Sequence, residues 1–290
     1  MTVAVPSQVS FKKILVASDF SDASEKALSY AKSIAKRFGS HLVLAHISDA
    51  ANPIPIPEGG WIEDDSAVRV DQQVEAAGVA LRAEGLSAAA VNAYGSVQEK
   101  IQMIAEDLAA DLLVLGTHSR RGFDRLLFGS EAEGMIRHSD RPVLTVGPSA
   151  QLAQGEWTPQ KVLCASSLDP HAARVVAYGF RLAECLGAAF GLLSVNDPRH
   201  PVDEEETWRA FERALIRILP EEDVGRHQIR SLLCGKSAAD NIIDVARTLK
   251  PDLIVMGARS SPFSTTHLPA GVLARVLMDA PCPVLTIATE

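Results

Sequence analysis

Four apolar residues, Leu112 to Leu115, run up to Gly116; a loop containing Gly122 follows, and then Gly129-Ser130. Ser130 with Glu133 three positions on reads as a capping box, so the spacing predicts a helix from Ser130 to about His138. A strand, a glycine-bearing loop and a helix N-terminus in that order make an anion site. Backbone N–H groups point outward there, and the helix dipole favours negative charge. Arg120, Arg121 and Arg125 add cations suited to phosphate. Glu131 and Glu133 suit the dipole but would repel a phosphate at the same spot.

Other chemistries lack their residues. A dinucleotide fold would show G-x-G-x-x-G after the first strand, where Ser18-Asp19-Phe20 stands instead. Gly235-Lys236-Ser237 lacks the upstream glycine of a P-loop, and no HExxH, GxSxG or paired catalytic carboxylates occur. His46 and His118 have no serine or cysteine partner at a readable spacing. The expectation is therefore no catalytic residue and no metal site. Cys164, Cys185, Cys234 and Cys282 have no CxxC spacing and read as buried thiols in a reducing cytoplasm.

The elements that must position the loop alternate along the chain. Residues 12–17 read as the first strand, and Ser21 or Asp22 caps a helix with the stripe Ala27, Ala31, Ile34, Ala35 and Phe38. Gly39 stops it. Strands are expected at His41–Ile47, Leu86–Ala93, Asp111–Gly116 and Pro142–Val146, with helices at Ala67–Glu84 and from the Ser96/Glu99 capping box. Asp49–Ser66, with three prolines and Gly59-Gly60, reads as an extended loop.

The design then repeats. Asp252-Leu-Ile-Val-Met-Gly257 returns Asp111 to Gly116, and Pro283-Val-Leu-Thr286 returns Pro142-Val-Leu-Thr145. With 290 residues, the expectation is a first domain at 1–148, a linker at 149–160 and a second domain at 161–290. Alternation implies parallel sheets covered on both faces. The two short P-V-L-T strands would lie at sheet edges, and pairing them with each other across a pseudo-two-fold axis would cover both. The net charge of −8 opposes nonspecific binding to nucleic acid or anionic membrane. No apolar run approaches the ~20 residues of a membrane helix, and the N-terminus shows no secretory signal.

Several segments together resemble the universal stress protein family: K-I-L-V-A-S-D-F-S at 13–21, A-H-I-S-D at 45–49, D-L-L-V-L-G-T-H-S-R-R-G at 111–122, F-G-S at 128–130 and R-P-V-L-T-V at 141–146. The resemblance covers nearly the whole chain as two tandem copies. It implies an α/β fold of two five-stranded parallel sheets, order 3-2-1-4-5, of the adenine nucleotide alpha hydrolase-like type. The nucleotide-binding branch has the pattern G-x-x-G, nine residues, G-S/T. Gly116, Gly129 and Ser130 match it, and Ser119 stands where the second glycine belongs.

By resemblance, Asp19 would contact adenosine, Ile47 would line the base pocket, Gly116 would let the backbone approach, and Gly129 and Ser130 would meet phosphate or ribose. The implied ligand is ATP or AMP, with or without magnesium, in a cytoplasmic stress-response protein with little or no catalysis. The second copy carries Ser167 for Asp19, Ser260 for the second glycine and Ala270 for Gly129, so it is expected to bind nucleotide poorly or not at all. The resemblance also implies an intrachain pseudo-dimer, with homodimers and protein partners open. The alternative reading is a tandem scaffold without nucleotide, acting through protein partners.

Overall fold

The computed structural model describes residues 9–48, 54–56, 60–62, 65–117, 130–166, 172–195, 204–217, 228–232, 237–259 and 271–289. The chain divides into two compact units, Phe11–Gly116 with Ala153–Trp157, and Thr117–Leu152 with Thr158–Glu290 and Met1–Ser10.

The first of these begins with β1 (Lys13–Ala17), in which Ile14, Leu15 and Val16 are wholly buried. Apolar residues on both faces are what a central parallel strand needs. Helix α1 (Asp22–Phe38) starts at Ser21, whose hydroxyl accepts the Ser24 N–H, and ends at Gly39 in the left-handed conformation. Its Ala27, Ala31, Ile34 and Ala35 are buried, and Phe38 packs edge-on against Phe11. There follow β2 (His41–Ser48), α2 (Asp65–Ala83), β5 (Ser87–Tyr94), α3 (Val97–Leu108) and β6 (Leu112–Gly116).

The segment expected to be an extended loop holds two short antiparallel strands, β3 (Ile54–Ile56) and β4 (Gly60–Ile62). Prolines favour turns, but β-branched isoleucines beside them favour extended backbone that can pair. The sheet order in this unit is β5-β2-β1-β6, all parallel. From β1 the chain steps through α1 to β2 on one side, and α3 later delivers β6 on the other. The C-terminal ends of β1 and β6 therefore flank a topological switch point, where open α/β sheets bind ligands.

The second unit holds α4 (Ser130–His138), β7 (Val143–Val146), β8 (Lys161–Ala165), α5 (Ala173–Leu186), β9 (Ala189–Val195), α6 (Glu204–Ile216), β10 (Gln228–Leu232), α7 (Ala238–Leu249), β11 (Leu253–Arg259), α8 (Val272–Asp279) and β12 (Val284–Thr289). Its order is β10-β9-β8-β11-β12-β7. The first five are parallel, and taken in chain order from β8 they stand as 3-2-1-4-5. β7 runs antiparallel to β12, with Val143↔Thr286, Leu144↔Leu285 and Thr145↔Val284. The two P-V-L-T strands thus pair about the Leu144–Leu285 position, and each covers the other's edge.

The repeated aspartate has a structural reason that spacing alone does not give. Asp111 Oδ2 accepts the Lys12 N–H at 2.7 Å, and Asp252 Oδ2 accepts the Gln160 and Lys161 N–H groups at 2.8 and 2.9 Å. Each carboxylate ties the start of its copy's first strand to the start of its fourth. Lys13 and Lys161 repeat as well, donating through Nζ to the last carbonyls of α3 and α7, Leu108 and Leu249.

Residues 153–157, expected to be plain linker, lie along α1. Ala153 N–H donates to Ser29 Oγ at 3.1 Å, Ser33 Oγ donates to the Gly155 carbonyl at 2.8 Å, and Trp157 N–H donates to the Ser33 carbonyl at 3.1 Å. Trp157 is buried. Two serines on α1 supply the partners that an aperiodic segment needs in order to dock.

Candidate functional site

The turn Ser18–Ser21 joins β1 to α1 at the switch point. Ser18 is buried; its N–H donates to the Ala45 carbonyl of β2 at 2.9 Å, and its Oγ accepts the Phe20 N–H at 3.2 Å. Asp19 is exposed, and its Oδ1 accepts both the Ser21 N–H (3.1 Å) and the Ser21 hydroxyl (2.5 Å). The carboxylate is thereby oriented by the residue that caps α1. Phe20 has φ 58°, in the left-handed region that costs a bulky L residue about 1–2 kcal/mol. Its ring lies 5.0 Å from that of His46. His46 Nδ1 stands 2.8 Å from the Ser18 carbonyl oxygen.

Gly116 closes the same corner. A β-carbon there would stand 2.3 Å from the Ala23 carbonyl oxygen and 2.9 Å from the Ser24 nitrogen. The end of β6 thus presses on the first turn of α1, and only glycine fits whatever the ligand. Ser24 links the parts: its N–H donates to Ser21 Oγ at 3.3 Å, and its own hydroxyl, buried, accepts from Ser18 Oγ at 3.2 Å. Asp19 and Gly116 are therefore brought together through two serines of the turn and cap. Ile47 is half-buried on β2 and pairs with Ala93. Strand alternation turns it to the face opposite His46.

Ser130 is the first residue of α4, a helix with the span expected of it. Glu133, expected to repel phosphate and to reach back to the cap, pairs forward with Arg137 at 2.7 Å. An i,i+4 partner of opposite charge satisfies it locally. The Ser96/Glu99 capping box lacks a side-chain cap bond at Ser96, although α3 starts at the next residue as expected. Ser119, Gly129, His118, Glu131's side chain, Arg120, Arg121 and Arg125 lie outside the described residues, as does Ser167 in the second copy. Among the described residues no group of three or more His, Cys, Asp or Glu could hold a metal ion. Among the same residues no helix is long and apolar enough to cross a membrane.

The partner of His46 is neither a serine nor a cysteine side chain but a backbone carbonyl one strand away, which no spacing rule reveals. The internal repeat does carry a signal: the position 148 residues on, beside the next copy of the turn, holds Ser194.

The chain matches the Universal stress protein family over residues 10–147 and again over 159–288. It is 33% identical over 146 residues to Universal stress protein MJ0531 of Methanocaldococcus jannaschii, covering 47% of this chain and 82% of that protein. Among solved structures, a universal stress protein from Archaeoglobus fulgidus DSM 4304 superposes with TM-score 0.68 at 17% identity, covering 95% of this chain and 98% of that one. A putative universal stress protein from Pseudomonas aeruginosa UCBPP-PA14 gives 0.62 at 19%, covering 96% and 94%. At such identities these two likenesses speak for the fold alone.

Proposed function

Because the chain belongs to the universal stress protein family, we propose that it is a stress-response binding protein whose first copy takes an adenine nucleotide, ATP or AMP, without marked catalysis. The observation that carries this reading is the Asp19 carboxylate, oriented by Ser21 at the C-terminal end of the central strand β1. A fixed acceptor at a switch point suits the hydroxyls of a ribose or the amine of an adenine. Gly116 and the helix start at Ser130 are the further residues assigned to the site, with Ile47, Ser119 and Gly129. Any magnesium would arrive with the nucleotide's phosphates. The Glu133–Arg137 pair removes one objection to phosphate, since that carboxylate already has a cation.

Titration calorimetry with ATP and AMP on the wild type and Asp19→Ala tests the reading. Binding by the wild type that weakens at least tenfold in the variant supports it. Equal, weak heats from both proteins leave the scaffold reading, for which the self-covered β7–β12 pair needs no ligand.

A further inference from the structure

The β1–α1 turn is held against its own backbone preference. Phe20 keeps its left-handed conformation while its N–H bonds to Ser18 Oγ and the next N–H, of Ser21, bonds to Asp19. Those bonds are internal to the turn. The tie to β2 beyond the Ser18 N–H comes from His46. Its Nδ1 lies 2.8 Å from the Ser18 carbonyl and its ring lies 5.0 Å from Phe20. A carbonyl oxygen can only accept, so the hydrogen is assigned to Nδ1. One imidazole therefore grips the turn on both sides of Asp19.

The second copy is a comparison within the same molecule. Its β8–β9 register, Lys161↔Ala189, repeats the β1–β2 register, Lys13↔His41, so Ser194 stands where His46 does. The backbone tie is kept: Ser166 N–H donates to Leu193 at 3.0 Å, as Ser18 N–H donates to Ala45 at 2.9 Å. The side-chain tie is lost. Ser194 is 1% exposed and its hydroxyl has no hydrogen-bond partner among the described residues. A side chain ending one atom beyond Cβ leaves unmade the bond that the longer imidazole makes.

From this contrast we infer that His46 is the positioning residue of the first copy, whose Nδ1–H on Ser18 and ring on Phe20 fix the turn that presents Asp19 to an adenine nucleotide. The ligand half of this statement rests on the function proposed above; the turn half does not. His46 touches no ligand in this scheme and acts through Ser18 and Phe20.

Two variants of the full chain separate the parts. His46→Phe keeps a ring against Phe20 and removes the donor. His46→Asn keeps an N–H donor near the Nδ1 position and removes the ring. Amide exchange by NMR without nucleotide reads the Phe20 and Ser21 N–H groups, neither of which bonds to His46. His46→Phe should speed their exchange about three- to tenfold, the weight of one net hydrogen bond, and His46→Asn, which regains the donor but not the ring, should restore part of it. Should His46→Phe not fold, His46→Gln replaces it, since its donor sits at the far ring position. Unchanged exchange in the donor-less variant overturns the inference, as does equal loss in His46→Asn.

ATP titration of the same proteins then reads the site. Affinity should fall in His46→Phe in step with the exchange and recover in part in His46→Asn. A wild type that binds ATP no better than His46→Phe does, while binding measurably, overturns the inference. A wild type that binds no ATP, with the exchange pattern intact, overturns the nucleotide reading and supports the positioning of the turn.

Discussion

Leu144 and Leu285 face each other at the centre of the antiparallel β7–β12 pair, each 1% exposed, with Val143 and Thr286 on one side and Thr145 and Val284 on the other. The antiparallel register relates the two identical P-V-L-T segments by a local two-fold. Thr286 Oγ1 donates to the Val143 carbonyl at 3.2 Å, whereas Thr145 Oγ1 is buried without a partner among the described residues. The symmetry of the backbone therefore does not extend to every side chain.

Leu285→Ala and Leu144→Ala should each cost about 2–5 kcal/mol, the range for truncating a leucine in a packed core. Denaturant midpoints measure it. Losses under about 1 kcal/mol in both would mean that the strand pair contributes little to the stability of the unit.

Gly116→Ala should destabilise by about 1–3 kcal/mol, because its β-carbon meets backbone atoms of α1 that cannot turn aside. Gly39→Ala is the contrast. It meets nothing within 4 Å, but its φ of 64° costs an alanine about 1 kcal/mol. Thermal unfolding should rank Gly116→Ala as the more damaging of the two. The reverse order would show that β6 does not press on α1.

Asp111→Ala and Asp252→Ala should lose similar stability, about 1 kcal/mol each, since each removes a charged acceptor from backbone N–H groups at a first-strand start. Similar losses, read by chemical denaturation, follow from the repeated geometry. A neutral result in either copy would assign that aspartate to something other than the strand.

Burial holds the Cys164 thiol well above its ordinary value of 9.0. Burial chiefly, with the charge of Asp252 adding, pushes Cys282 up to about 12 despite a backbone hydrogen bond from Ile254. Neither thiol should react with iodoacetamide in the folded protein at pH 8. The raised values also set a sign. Between 9.0 and about 12 the folded state holds a proton that the unfolded state releases, so stability is full below pH 9 and declines as pH rises through that window. A stability that rises from pH 9 to 11 would contradict both burials.

The sequence carries the repeated α/β frame openly. Continuous apolar runs such as Leu112–Leu115 mark buried strands, helical stripes such as Ala27, Ala31 and Ile34 mark covering helices, and both are local patterns that one chain segment carries alone. It also suggested the pairing of the P-V-L-T strands, because two identical edges in one chain can cover each other, and the β7–β12 register bears this out. The tertiary structure alone decided which groups meet across strands. Asp111 with Lys12, His46 with Ser18, and Gly116 with Ala23 are separated by tens of residues and joined by sheet register, which fixes contacts only once the strands have stacked in order. The docked segment at 153–157 escaped for the same reason, since its hydrogen bonds go to serines of α1. The β3–β4 pair escaped for another: its partners are local, but strands of three residues are too short to show a period.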